Sequence, residues 1–206
     1  MGPTLTQVLD AYPNDVKLVF KHNPLAFHDK ARDAALASMA AARQGHFWKY
    51  HDTLFANQKA LGKDELLKYA KDLDMDMDQF KADMADAAIG RKSDNDQAAS
   101  VALGATGTPA FFVNGVKLSG AKPFADFKTE IDKQLATAKE LEASGVARVD
   151  IARTLSARSG GTATQFIKYF VDEVPAPKQA KEAPKKAKEE DTSTVWKVPV
   201  DAETEH

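Results

Sequence analysis

Gly107-Thr108-Pro109-Ala110-Phe111-Phe112-Val113-Asn114-Gly115, continued by Val116-Lys117-Leu118, is the stretch whose reading decides the fold. Ala110 to Val113 are apolar without a break, so they read as a buried strand. Asn114-Gly115 is a strong two-residue hairpin signal, because both central positions of such a turn need positive φ. Val116-Lys117-Leu118 is then the return strand. Pro109, just before the first strand, removes a backbone donor and sets a turn. On its own chemistry Thr108–Pro109 reads as an ordinary trans bond, the common form of X-Pro.

Upstream, Leu5, Val8, Leu9 and Tyr12 make a helix stripe that Pro13-Asn14 ends. Val16 to Lys21 is β-rich and mostly apolar, a second buried strand, closed by Pro24. An Ala-rich helix follows from about Asp29 to Gln44, stopped by Gly45. Phe47, Trp48, His51, Leu54 and Phe55 carry the next stripe. Further helices run from about Lys63 to Leu73, Asp78 to Ala88 and Ser93 to Leu103, with Asp76-x-x-Gln79 resembling a capping box. Downstream, Phe124, Phe127, Ile131, Leu135, Ala138 and Leu141 mark a long final helix. The fold class is α/β, helices covering a small sheet. One strand plus one hairpin gives three strands, each apolar on nearly every residue as if covered on both faces. So narrow a sheet lacks a pairing partner.

The 206 residues contain no cysteine. That excludes a disulfide framework, a thiolate nucleophile, Cys-ligated zinc and an iron–sulfur cluster within the chain. The formal charge of -2 and the even spread of Lys and Arg argue against nucleic-acid binding. No apolar run approaches the roughly 20 residues of a membrane span. Met1-Gly2-Pro3-Thr4 opens directly into a helix pattern, without the basic and apolar regions of a secretory signal. Residues 144–173 hold weaker helical patterns. Residues 174–194, with three prolines and mixed Lys and Glu, read as a disordered linker. Val195-Trp196-Lys197-Val198-Pro199-Val200 reads as a short strand.

Few other constellations point to chemistry. His46 and His51 are spaced off one helix face, so His22, His28, His46 and His51 read as packing and capping residues, not metal ligands. Asp72, Asp74, Asp76 and Asp78 alternate like a calcium loop, but Gln79 and Ala85 stand where Gly and Glu are needed. Gly104-Ala105-Thr106-Gly107 lacks the lysine of a phosphate loop. No nucleophile-elbow pattern is present. No metal and no cofactor is expected.

Three segments together resemble the DsbA-like thioredoxin-fold disulfide oxidoreductases: Val19-Phe20-Lys21-His22-Asn23-Pro24-Leu25-Ala26-Phe27-His28, then Gly45 to Gln58 (GHFWKYHDTLFANQ), then Gly107 to Gly115. The resemblance runs in order from Pro3 to about Leu135. It implies a thioredoxin-like fold with an inserted helical domain: residues 1–28 and 104–143 form the thioredoxin-like part, 29–103 the insertion, 144–173 a helical extension, 174–194 the linker and 195–206 a lead-in strand or tail. It implies a cis Thr108–Pro109 bond in a loop facing the redox centre. Gly107, Thr108 and Pro109 would then pair with an extended protein or peptide substrate, a form of β-augmentation. It also implies an extracytoplasmic, periplasmic setting.

The departure is equally specific. The family's Cys-x-x-Cys motif opens its first helix, where the helix dipole favours the thiolate. That motif and the strand before it would fall just upstream of Met1, so the fold is expected to be N-terminally truncated, its first strand missing from between Val16–Lys21 and Ala110–Val113. Residues 195–200 resemble the lead-in to a second such module, as in a tandem protein. If they fold back instead, Pro199 favours a sheet edge over the centre.

Three functions stand open. The first is a thiol–disulfide oxidoreductase module whose cysteines lie outside this redox-inactive chain. The second is a non-catalytic peptide-binding module. The third is partner docking through residues 144–173. Open sheet edges would make the isolated chain weakly stable or self-associating.

Overall fold

The computed structural model describes residues 2–177 and the backbone of a strand at residues 195–198. These residues divide into two compact units. One is the contiguous stretch 22–97; the other combines residues 2–21, 98–177 and 195–198.

The second unit holds the sheet. Its strands are β1 (Val19–Lys21), β2 (Ala110–Val113), β3 (Val116–Ser119) and β4 (Val195–Val198), in the order β1-β4-β2-β3. β2 and β3 form the expected hairpin, with Asn114 at φ 45° and Gly115 at φ 90° in its turn. Side chains alternate along β2, so Phe111 and Val113 face one way and Ala110 and Phe112 the other. The first pair packs on Leu5, Val8 and Tyr12 of α1 (Gly2–Ala11) and its C-terminal flank, and on Phe127 and Ile131 of α7 (Phe124–Ala143). Phe111 meets Phe127 edge-on at 5.0 Å. The second pair packs on Leu103, Phe166, Phe170 and Ala176. Covering on both faces is why β2 is apolar at every position.

Two expectations are corrected here. The strand at residues 195–198 is not an edge strand. β4 lies inside the sheet, antiparallel to β1 (Val19↔Lys197) and parallel to β2 (Phe111↔Trp196). The described ladder runs from Val195 to Val198; Pro199 and the rest of the expected tail, residues 199–206, lie outside the described residues. The central edges thought to be open are therefore paired. The upstream strand is also shorter than Val16–Lys21, since pairing begins only at Val19.

The weak helical patterns of residues 144–173 become α8 (Arg148–Ala157), α9 (Ala163–Phe166) and a π-helical turn (Ile167–Val171). They are part of the core. Ile151 and Leu155 pack on Ala138 and Leu141 of α7, and Phe166 and Phe170 roof the sheet. The start of the expected linker packs too: Ala176 is buried in the same cluster. The rest of it, residues 178–194, lies outside the described residues.

The contiguous unit is helical: α2 (Ala31–Arg43), α3 (Phe47–Ala56), α4 (Lys63–Asp72), α5 (Met77–Ala85) and the first part of α6 (Ala87–Ala102). Ala34, Ala37, Ala40 and Ala41 give α2 a face of small side chains. That lets Tyr50, Leu54, Leu66 and Phe80 approach closely and fill one core. The Tyr50 hydroxyl donates to the Leu66 carbonyl at 2.8 Å, and burial pushes its pKa up. The Asp76 cap is half as expected. Its carboxylate accepts from the amides of Asp78 and Gln79, but the Gln79 side chain turns to Asp83. Gln44, at the end of α2, takes the other half by accepting from the Asp76 amide at 2.9 Å. The helix sought at Ser93–Leu103 starts six residues earlier, where the Asp86 carboxylate accepts from the Ala88 amide at 2.8 Å.

Candidate functional site

Gly107, Thr108 and Pro109 form one loop between α6 and β2. The loop is fixed at both ends. At its start Gly104, at φ 70°, closes α6 by donating to the Val101 carbonyl at 2.9 Å, and the Ala105 amide donates to Ser100 at 2.8 Å. The Lys117 ammonium donates to the Gly104 carbonyl from β3. At its end the Pro109 carbonyl accepts from the Gly120 amide at 3.0 Å. Ala110 then enters the ladder opposite both Ser119 and Val195.

Between these anchors the backbone is free. Among the described residues, no hydrogen bond involves the main chain of Thr106, Gly107 or Thr108. Thr106 and Gly107 are exposed, and Thr108 and Pro109 are half-buried. The Thr108–Pro109 bond is cis. The Thr108 hydroxyl oxygen is buried and has no partner among the described residues. A rigid frame thus presents a short run of unpaired donors and acceptors at the end of a buried strand. Such backbone suits pairing with another extended chain.

One buried charge escaped the sequence reading. Lys21 closes β1 with its side chain only 4% exposed, and its ammonium lies 2.6 Å from the Glu173 carboxylate. It also sits 5.7 Å from the centre of the Phe170 ring. A lysine ending an apolar strand looks like a solvent-facing terminus. Its acidic partner lies 152 residues away and gave no local signal.

His22, His28, His46 and His51 belong to the helical unit. His51 contacts the rings of Phe47, Trp48 and Phe55, at 5.9, 5.5 and 4.4 Å. Burial lowers its pKa below the ordinary 6.5, partly offset by the Asp52 carboxylate 2.9 Å from Nδ1. Among the described residues, no group of three His, Asp or Glu side chains is arranged to hold a metal ion.

A narrow sheet covered by helices on both faces, with a helical insertion before a cis-proline loop, defines a thioredoxin-like α/β protein. Residues 3–146 match the family described as the DSBA-like thioredoxin domain, and the chain belongs to that family. Its relatives include a Na(+)/H(+) antiporter NhaA of Herminiimonas arsenicoxydans, 40% identical over 110 residues, which are 53% of this chain and 17% of the relative. The Na(+)/H(+) antiporter NhaA 3 of Salinispora tropica is 40% identical over 119 residues, 57% of this chain and 18% of its own. An antiporter NhaA 1 of Mycobacterium sp. (strain KMS) is 35% identical over 120 residues, 56% and 19%. The chain thus spans under a fifth of the length of these relatives. No solved structure matches it. No helix among the described residues is long and apolar enough to cross a membrane.

Proposed function

We propose that this chain is a protein-binding module of the thiol–disulfide oxidoreductase class, one that docks extended polypeptide at Gly107, Thr108 and Pro109 and carries no thiol of its own. The observation that carries this reading is the unpaired main chain of Thr106, Gly107 and Thr108, held between anchored ends beside β2. The total absence of cysteine limits the 206 residues to holding a substrate segment. Exchange of disulfides would draw its thiols from elsewhere, such as a second thioredoxin-like module, and proceed through a mixed disulfide on that partner. The setting is extracytoplasmic, in keeping with the family. The transport named for the antiporter relatives is not part of this proposal, because the shared stretch is a small fraction of their length.

The test compares an unstructured peptide with the same peptide N-methylated at alternate residues. Each backbone hydrogen bond contributes about 1 kcal/mol net, so blocking two should weaken binding roughly 30-fold. Equal affinity for both peptides would refute main-chain pairing at the loop. Turnover of a dithiol substrate by this chain alone would refute the assignment of a thiol-free binding role.

A further inference from the structure

The centre of the sheet is closed by the far end of the chain. β4 reaches its place after the stretch 178–194 and pairs with three residues of β1 and four of β2. β4 runs antiparallel to β1 and parallel to β2, so β1 and β2 run opposite to each other. The consequence is geometric. A strand of either direction, placed between them, forms one parallel and one antiparallel ladder. The slot therefore has no preferred polarity. With three pairs to β1 and four to β2, few ladder bonds hold the strand, which favours exchange of the copy that supplies it.

We propose that the slot between β1 and β2 is a strand-acceptor site and that a second copy of this chain can fill it with its own Val195–Val198, giving a strand-swapped dimer. Three observations favour a second copy as the occupant. The donor strand is already the sequence that fits the slot. The chain between Pro177 and Val195 can span up to about 60 Å, several times the ~15 Å radius of a domain of this size. Residues 178–194 mix five lysines with four acidic residues, so two copies of this stretch carry little net charge to keep the chains apart. Swapping conserves every ladder bond and changes only which copy supplies the strand. A flexible tether of this length gives the attached strand an effective concentration on the order of millimolar, so the swapped form grows with protein concentration below that level.

The native chain has no cysteine, so engineered pairs report without background. Val19 and Lys197 face each other across the β1–β4 ladder. The double variant V19C/K197C should close an internal disulfide under mild oxidation. A mixture of the two single variants, carrying different mass tags, should give a disulfide-linked heterodimer. Its yield should rise about tenfold between ~10 µM and ~100 µM protein. The baseline is V19C mixed with K139C, a surface cysteine on α7. A heterodimer yield at that baseline, with closure in the double variant, would overturn the proposal in favour of a strand supplied only in cis. Closure in neither case would overturn it as well, because the slot would then not hold this strand. Each variant is compared with the parent by circular dichroism. If V19C fails to fold, V113C with V198C repeats the readout on the β2 side, where these residues are in register.

Discussion

The two units of this molecule are built by opposite strategies. Among the described residues the helical unit is one uninterrupted stretch, 22–97, whose core side chains come from successive helices. The sheet unit is assembled from three distant pieces of chain, and one of its two inner strands is the last of them. Local contacts are inexpensive in chain entropy and visible in sequence; non-local ones are neither. The candidate docking loop lies in the non-local unit, where it is framed by α6, β3 and the ladder.

The largest expected effect separates the two cores. Phe112 is fully buried between Phe166 and Phe170, at 5.5 and 5.7 Å. Phe112→Ala should destabilise the sheet unit by about 3–5 kcal/mol. Amide exchange should then accelerate in β2, β3 and α9 while α2–α5 keep their protection. Phe80→Ala, removing a fully buried ring of the helical core, should give the reverse pattern. Identical loss of protection throughout in both variants would abolish the distinction between the units.

A smaller effect is expected at the hairpin. A Cβ on Gly115 would collide with the Ser159 hydroxyl and lie 2.9 Å from the Ser159 Cβ, at a backbone φ of 90°. Gly115→Ala should therefore cost about 1–3 kcal/mol, read as a lower urea midpoint. It should disturb the segment that follows α8 as well as the turn, since Ser159 must shift.

The helical unit should show the clearer pH dependence. His51 has its pKa lowered by burial below the ordinary 6.5. Above about pH 6.5 both folded and unfolded forms are neutral, and the group adds no penalty. As pH falls below that value the unfolded chain binds a proton that the folded chain resists, so stability declines. Urea midpoints between pH 7.5 and 5.5 should fall in the parent and fall less in His51→Phe. An equal fall in both would place the dependence elsewhere.

The smallest effect tests the loop. The buried Thr108 hydroxyl has no partner among the described residues. Thr108→Val keeps the shape and removes that unpaired group, so the chain should be unchanged or more stable by up to about 1 kcal/mol. A loss of more than that in thermal melts would mean the hydroxyl is satisfied in solution.

Much of the helical unit was legible because its pattern is periodic and local. The alanine face of α2 and the stripe from Phe47 to Phe55 lead directly to the packed helices. The hairpin was equally plain, since Asn114-Gly115 specifies its turn. What escaped depends on partners far away in sequence. Pro199 pointed β4 to an edge, yet Val195–Val198 lies between β1 and β2. Gln79 completed a capping box on paper, while Gln44 does so in space because α2 ends beside α5. Lys21 gave no sign of its burial, because Glu173 and Phe170 reach it only through the tertiary fold. Of the site, the positions of Gly107, Thr108 and Pro109 were readable. The free main chain between two anchors was not, since it depends on Lys117 and Gly120.

Amide hydrogen exchange of the full chain, with and without an unstructured peptide, tests the central claim most directly. Docking at the loop predicts new protection at Thr106, Gly107 and Thr108, with none gained between Ala31 and Ala85. Protection gained within α2–α5 while the loop amides stay unchanged would contradict it.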